Sequence, residues 1–179
     1  MKTGIKSIVV LSIICLVSSA LLGGVNILTA PVIEKTTKER SEAACFEVMP
    51  EGQAFSEIPV DSNLPKGVSA IYKEKNGTGY VIKITTKGYD SDLVIMCGIS
   101  RNGTVTGTKI LSSNETPSIG GQCAKESYSS QYKGKTEALD GIDVISGATL
   151  TSKGYYGAVK TAFEAYKILL KQPGEGGTK

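Results

Sequence analysis

The 179-residue sequence contains no histidine and no tryptophan, and it spaces none of its four cysteines as C-x-x-C. Without histidine the chain lacks the commonest general base and the commonest metal ligand. The cysteine spacing gives little support to a zinc or iron–sulfur site. The net charge of +3 comes with no basic stripe interleaved with aromatic residues. We therefore expect no metal site and no nucleic acid among the partners.

The few cysteines leave the redox state of the protein open. Cys15 lies in an apolar N-terminal run, where a small buried residue is expected. Cys97 and Cys123 can form a disulfide in an oxidising compartment. Three free buried thiols, with Cys45 as the third, are at least as well supported by the sequence.

The N-terminal segment predicts a membrane helix. Residues 8–28 are apolar or small almost throughout, and at about 1.5 Å per residue they can cross a bilayer core of roughly 30 Å. The alternative is a cleaved signal peptide, because Ser18-Ser19-Ala20 matches a small-x-small cleavage site. The apolar run continues beyond that site, which favours an uncleaved anchor. Basic residues before and after the run nearly balance, so charge alone does not orient it.

The length accommodates this anchor and one domain of ordinary size. We predict a transmembrane anchor at residues 1–30, a juxtamembrane helix and connector at 31–66, a folded domain at 67–172, and a flexible tail at 173–179. The juxtamembrane helix is expected to end near Val48, before Pro50.

Alternation of apolar and polar residues predicts an antiparallel meander of about four strands in the domain. Two Asn-Gly pairs, at 76–77 and 102–103, predict hairpin turns. The strands are expected near residues 68–75, 79–86, 93–99 and 104–111.

A C-terminal helix from Ser152 to Lys171 is expected to cover one face of this sheet, which gives an α+β fold. Its apolar residues follow helical spacing along one stripe. The stripe comprises Tyr155, Val159, Ala162, Phe163, Tyr166 and Leu170.

The stretch Asp143-Val-Ile-Ser-Gly-Ala-Thr-Leu-Thr-Ser152 leads directly into this helix. Thr151 or Ser152 is suited to cap the helix, and Gly147 allows a tight turn. A helix N-terminus suits a phosphate, and Lys153 adds a positive charge in the first turn. The alternative is a strand–turn–helix junction with an ordinary cap, because short Gly/Ser/Thr turns are common.

These residues resemble a specific motif. Asp143-x-x-Ser-Gly-Ala-Thr149-x-Thr-Ser152 is similar to the flavinylation motif of FMN-binding domains in the G subunit of the Rnf electron-transport complex and in the C subunit of the sodium-pumping NADH:quinone oxidoreductase. The resemblance extends to the N-terminal membrane helix, a Glu-Thr-Pro loop at Glu115–Pro117, and the C-terminal helix. In that family the last threonine of Ser/Thr-Gly-Ala-Thr carries FMN through a phosphoester bond. The resemblance therefore implies covalent FMN at Thr149 and makes residues 67–172 an FMN-binding domain.

The resemblance also implies other cofactor contacts. The family loop usually reads Glu-Thr-Pro-Gly-Leu-Gly, and here Ser118 and Ile119 replace its first Gly and its Leu. Ile119 remains apolar and can face the isoalloxazine ring, while Ser118 raises the question of whether the backbone takes the same positive-φ turn. Apart from the resemblance, Tyr128 and Tyr132 in the next, polar segment are candidates to stack on the ring, although a tyrosine on an exposed loop is more often incidental. Besides Thr149, the expected cofactor-binding residues are Ser146, Gly147, Ala148, Leu150, Thr151, Lys153, Glu115, Thr116 and Ile119.

Attachment of FMN implies a second protein. No evident base adjoins Thr149 in the sequence, so the chain is not expected to flavinylate itself. In the family a separate magnesium-dependent FMN transferase does this with FAD as donor. Asp143 and Ser146 would then serve recognition and loop geometry.

The implied function is an electron relay. The family's Rnf complex moves electrons between reduced ferredoxin and NAD⁺ and couples this to sodium or proton translocation. The chain would carry electrons within that complex, beside the other Rnf subunits, with no catalytic residue of its own. The resemblance places the anchor in the inner or plasma membrane and the domain on the outer, periplasmic or extracellular, face.

Three alternatives remain. One is the C subunit of the quinone reductase, for which the chain is short. Another is a stand-alone extracytoplasmic flavin carrier. The third belongs to a different class: an anchored binding module without a cofactor, in which the Ser-Gly-Ala-Thr turn is only a cap.

Overall fold

The computed structural model describes residues 2–171 and divides the chain into two compact units, Met1–Arg40 and Ser41–Lys179. The tail expected at 173–179 lies outside the described residues. The elements in chain order are helix α1 (Lys2–Val48), strands β1 (Phe55–Ile58), β2 (Val68–Glu74), β3 (Gly79–Lys87), β4 (Asp92–Ser100) and β5 (Val105–Ser112), a 3-10 turn (Gly120–Ala124), helix α2 (Glu126–Ser129), a second 3-10 turn (Ser130–Tyr132), and helix α3 (Thr149–Lys171).

Helix α1 makes up the first unit and enters the second. It is long and apolar enough to cross a membrane, and its bulky apolar residues in the first unit are exposed, Leu22 to 72%. Bulky apolar side chains are seldom left in water in such a continuous run. The helix continues through Pro31 and ends at Val48, where the sequence predicted its end.

The five strands of the second unit form one antiparallel sheet in the order β1-β2-β3-β4-β5. The predicted meander is confirmed as β2 to β5, with a tight turn at each Asn-Gly pair. Strand β1 adds a fifth member from within the predicted connector and pairs with β2, with Ile58 opposite Ile71. The sequence indicated only a short extended piece there.

Helix α3 covers one face of the sheet, as predicted. Val159 and Ala162 are fully buried and belong to the same apolar cluster as Ile82 of β3. The last predicted member of the stripe is wrong: Leu170 is 57% exposed, whereas Leu169 is 7% exposed. At 3.6 residues per turn a helical stripe can continue at either i+3 or i+4, and only packing against the sheet selects between them.

The opposite face of the sheet is covered by the end of helix α1, which the sequence did not predict. Val48 and Met49 are 1% exposed and cluster with Tyr72 and Met96 of the sheet. The Thr106 hydroxyl donates to the carbonyl oxygen of Val48 at 2.6 Å. The helix end is thus part of the domain core.

Gly98 allows the end of helix α1 to pack closely against the sheet. A Cβ atom at Gly98 would lie 2.7 Å from the carbonyl oxygen of Val48, closer than real Cβ atoms approach. We expect Gly98→Ala to lower the free energy of unfolding by about 1–3 kcal/mol, the usual cost of overpacking. Denaturant unfolding of the detergent-solubilised full chain measures this. Gly157→Ala is the control, because no atom other than the neighbouring residues and backbone of its own helix lies within 4 Å of that Cβ position, and alanine favours a helix. Equal stability of Gly98→Ala and wild type would contradict the close approach.

The three cysteines of the second unit, Cys45, Cys97 and Cys123, are buried free thiols. Burial raises the pKa of Cys97 to about 12. Burial is also the main cause that raises the pKa of Cys45 to about 12 and raises that of Cys123. The alternative of free buried thiols therefore describes this structure.

These thiols predict alkaline destabilisation. Above about pH 9 the unfolded chain loses its thiol protons while the folded chain keeps them, so stability present below that pH is lost as pH rises. Each such thiol contributes a slope of roughly 1.4 kcal/mol per pH unit between its unfolded and folded pKa. Unfolding midpoints from pH 8 to 11 measure the slope, and Cys97→Ala should make it shallower. An unchanged slope in that variant would contradict the burial of Cys97.

Candidate functional site

A tight turn precedes helix α3. The N–H of Ala148 donates to the carbonyl of Ile145 at 2.9 Å, and Gly147, the third residue of that turn, has φ +81°. A type II turn needs a positive φ at its third residue, where glycine carries no steric penalty. Gly147 therefore makes the tight turn that the sequence predicted.

Helix α3 begins at Thr149, three residues before the predicted start. The prediction that Thr151 or Ser152 caps the helix is therefore wrong. The N–H of Ser152 already donates to the Ala148 carbonyl at 2.9 Å, as in a first helical turn. The two hydroxyls have other partners: Thr151 Oγ1 donates to Glu115 Oε2 at 3.0 Å, and Ser152 Oγ accepts a backbone N–H from the preceding turn at 3.2 Å.

Thr149 presents an exposed side chain at this helix start. In the described part of the chain its hydroxyl has no hydrogen-bond partner. The first N–H groups of a helix have no acceptor within the helix and carry a partial positive charge. A phosphate bound there would be held by these groups, and the hydroxyl would give up no other contact to reach it.

Glu115 joins the segments around Thr149. Its carboxylate is nearly buried, with the residue 7% exposed. Oε1 accepts the N–H groups of Tyr89 at 2.8 Å and Asp90 at 3.2 Å, and Oε2 accepts the Thr151 hydroxyl. No ion pair to Glu115 occurs within residues 4–171. Three donors thus satisfy the buried charge and connect the turn after β3, the loop after β5 and the first turn of α3.

The same three segments line a cavity of about 330 Å³. Its volume lies in the range of about 300–1,000 Å³ that small-molecule sites occupy. The exposed apolar side chains of Ile119 and Leu150, at 48% and 56%, belong to its walls. The lining residues are Tyr89, Glu115, Thr116, Ile119, Gly120, Gly147, Ala148, Thr149, Leu150 and Thr151.

The structure brings together most of the predicted cofactor contacts and leaves two outside the lining. Ser146 and Lys153 are exposed and do not line the cavity, and Lys153 lies one helical turn beyond Thr149. Asp143 is also exposed, and its N–H donates to the side chain of Gln131 at 2.8 Å. Ser118 is not among the positive-φ residues of the described chain, so its backbone does not require glycine.

Two aromatic candidates from the sequence lie in the core instead. Tyr132 is fully buried and stacks on Tyr155 with ring centroids 5.0 Å apart, and Tyr128 is 4% exposed. Burial is the main cause that raises the pKa of Tyr132 and of Tyr155. The suggestion that Tyr128 or Tyr132 stacks on a flavin ring is therefore wrong. The segment looked polar in sequence, and only the tertiary structure turns these rings inward.

Sequence reasoning missed Tyr89 and Gly120, which also line the cavity. The signal for Tyr89 was an aromatic residue in the short Gly88–Ser91 break between two strands. The sequence pattern there indicates only an interruption between the two strands.

The cavity suits a flat aromatic ligand with an anionic tail. Apolar side chains can contact the rings, hydroxyl groups can contact polar atoms, and the helix N-terminus can hold the anion. Residues 88–164 match the family model for the FMN-binding domain, and every residue that lines the cavity lies within this segment. The matched segment is thus similar to FMN-binding domains. FMN has the ring system and the phosphate that the cavity and the helix end suit.

Similarity to known proteins extends beyond this domain. The chain is 29% identical to the G subunit of the Na⁺-translocating ferredoxin:NAD⁺ oxidoreductase complex of Acetobacterium woodii, over 95% of each chain. It is 27% identical to the G subunit of the proton-translocating ferredoxin:NAD⁺ oxidoreductase complex of Clostridium ljungdahlii, over 86% of each chain. The G subunit of the ion-translocating oxidoreductase complex of Methanosarcina acetivorans is also 27% identical, over 89% of this chain and 92% of that one. The chain is thus similar to these G subunits along nearly its whole length.

Among solved structures, similarity to part of the chain is also found. The crystal structure of the C subunit of Na⁺-translocating NADH-quinone reductase from Parabacteroides distasonis aligns with a TM-score of 0.49 and 21% identity. The alignment covers 59% of this chain and 63% of that chain.

Proposed function

We propose that this chain is the G subunit of an Rnf-type ferredoxin:NAD⁺ oxidoreductase and relays electrons through FMN bound covalently to Thr149. The observation that carries the proposal is the exposed Thr149 hydroxyl, which has no hydrogen-bond partner within residues 4–171. It lies at a cavity inside the segment that matches the FMN-binding domain. Three segments far apart in sequence meet at that cavity: the turn at Tyr89, residues 115–120, and residues 147–151 at the start of helix α3. Full-length similarity to G subunits of translocating complexes supports the place of the chain in such a complex.

Attachment of FMN is a phosphoryl transfer to Thr149. The Thr149 oxygen bonds to the phosphorus of the FMN half of FAD, AMP leaves, and the hydroxyl proton goes to a base. Both Glu115 oxygens are occupied by donors other than Thr149. A separate flavin transferase therefore supplies the base, and the exposed position of Thr149 leaves it accessible to that enzyme.

Different residues of the cavity would contact different parts of the cofactor. The start of helix α3 would hold the phosphate end, and the side chains of Ile119 and Leu150 would contact the ring. FMN supplies reversible uptake and release of electrons, while the protein supplies its position. Thr116 and Thr151 offer polar contacts, the latter fixed by Glu115.

The anchor keeps the domain beside the other subunits of the complex. Residues 1–30 form it, and helix α1 continues from there into the domain. We place the domain on the outer face of the inner or plasma membrane. Covalent attachment fits that location, because an FMN that dissociated outside the cytoplasm would be lost to the cell.

Intact mass tests the attachment. The full chain is produced with and without a flavin transferase, and its mass is compared with that of unmodified protein. The expected result is a gain of one FMN less one water, only with the transferase, on the peptide that contains Thr149. An unmodified chain in a host that flavinylates other targets would sink the covalent proposal and favour a cofactor-free binding module.

Co-purification tests the place in a complex. The tagged chain is expressed from its native operon and solubilised in mild detergent. It is expected to retain the other membrane subunits. Recovery of a flavinylated chain alone would favour a stand-alone flavin carrier over the proposed complex subunit.

A further inference from the structure

Tyr89 is a large aromatic residue that the core does not use. It lies in the turn between β3 and β4, is 76% exposed, and lines the cavity. Exposed apolar side chains grouped around one cavity mark a ligand or partner site more often than scattered ones do. Ile119 and Leu150 complete such a group at this cavity. Each of the three therefore has apolar surface to offer to a ligand.

The backbone of Tyr89 is fixed although its ring is free. Its N–H donates to Glu115 Oε1 at 2.8 Å, and the N–H of Asp90 donates to the same oxygen at 3.2 Å. The N–H of Gly88 closes the turn on the carbonyl of Ser91 at 2.8 Å. Hydrogen bonds to a charged, buried acceptor are stronger than average, so this turn is held in place.

Glu115 couples that turn to the attachment helix. Its second oxygen accepts the hydroxyl of Thr151, two residues beyond Thr149. One carboxylate therefore sets the positions of the Tyr89 backbone and of the first turn of α3. A ring attached through Thr149 would meet the side chain of Tyr89, whose backbone Glu115 holds near the start of the helix.

We infer that Tyr89 is a flavin-contacting residue whose ring stacks on the isoalloxazine in the cavity, and that Glu115 is the positioning residue that holds it there. The inference rests on the proposed function, since it needs FMN at Thr149. Aromatic rings favour offset stacking, and a tyrosine has the flat face that the aliphatic walls lack. A phenol in contact with an excited flavin donates an electron to it and quenches its emission, whereas phenylalanine is too hard to oxidise to do so.

Flavin fluorescence tests this contact. The full chain is coexpressed with a flavin transferase in five forms: wild type, Tyr89→Phe, Tyr89→Leu, Glu115→Gln and Tyr80→Phe. Tyr80 is the matched control, because it lies near the other end of strand β3 and does not line the cavity. Intact mass gives the fraction loaded, and emission intensity and lifetime are expressed per attached flavin.

Both Tyr89 variants are expected to be several-fold brighter than wild type, with longer lifetimes, while Tyr80→Phe matches wild type. Glu115→Gln keeps Tyr89 but weakens its anchor, so an intermediate gain in emission is expected. A thermal melt of each variant separates this local loosening from global unfolding.

Each other outcome is decisive. Equal emission per flavin in wild type and Tyr89→Leu, at full FMN mass, would overturn the stacking while leaving the proposed function intact. Wild-type emission in Glu115→Gln would overturn the positioning role. A wild-type chain that gains no FMN mass would overturn both the stacking and the proposed attachment. The mass spectrum distinguishes that result from a loss of stacking alone, in which the FMN mass is present.

Discussion

Replacing Thr149 by alanine is expected to abolish FMN attachment and, with it, electron transfer through the complex. The alanine side chain has no oxygen to bond to phosphorus, so no gain of FMN mass should occur even with abundant transferase. Ferredoxin-dependent NAD⁺ reduction by membranes that carry the variant should fall to background. In-gel flavin fluorescence and intact mass measure the loading, and membrane assays measure the activity.

Folding is not expected to explain that loss. Thr149 is exposed and its hydroxyl lacks a partner in residues 4–171, so its removal should change stability by no more than about 0.5 kcal/mol. Thr161→Ala is the matched control on the same helix. Within residues 4–171, Thr161 Oγ1 donates only to the carbonyl of Gly157 one turn earlier, away from the cavity. Full FMN mass on Thr149→Ala would mean that another residue carries the flavin.

Replacing Tyr155 by alanine is expected to cause the largest loss of stability, about 3–5 kcal/mol, as for other buried aromatic residues. Tyr155 is fully buried, stacks on Tyr132, and donates from its hydroxyl to Thr108 Oγ1 at 2.9 Å. Its ring joins helix α3 to the sheet six residues beyond Thr149. We therefore expect FMN loading to fall as well, because the position of Thr149 depends on the packing of helix α3 against the sheet.

Two variants separate the parts of that effect. Tyr155→Phe keeps the ring and loses only the hydrogen bond, so a cost of about 1 kcal/mol is expected. Tyr156→Ala alters the neighbouring, only partly buried tyrosine, and it should cost clearly less than Tyr155→Ala. Denaturant unfolding of the solubilised chains gives the three values. A Tyr155→Ala variant as stable as Tyr156→Ala would show that the tyrosine cluster is not central to the core.

The sequence predicted the local features well where the signal was local. Period-two alternation located the strands, and Asn-Gly pairs located two hairpin turns, because both depend on backbone and side-chain preferences of adjacent residues. Gly147 was placed in a tight turn for the same reason. The apolar stripe of the last helix also predicted that this helix covers one face of the sheet.

Predictions failed where a long-range contact decided the outcome. Thr151 has good capping chemistry, but its hydroxyl bonds Glu115, 36 residues earlier in the chain. Tyr128 and Tyr132 sit in a polar stretch, yet both rings turn into the core around Tyr155. Capping and exposure depend on partners that local sequence does not contain.

The sequence by itself determined the apolar N-terminal helix, the antiparallel sheet with its covering helix, and the motif that ends in Thr149. These follow from periodicity, turn chemistry and a specific order of residues. Only the tertiary structure decided that the end of helix α1 covers the second sheet face. It alone decided that Glu115 ties the Tyr89 turn to the start of helix α3. Such contacts form because the folded sheet brings loops that are distant in sequence to the same end of its strands. No local pattern of residues encodes which loops will meet there.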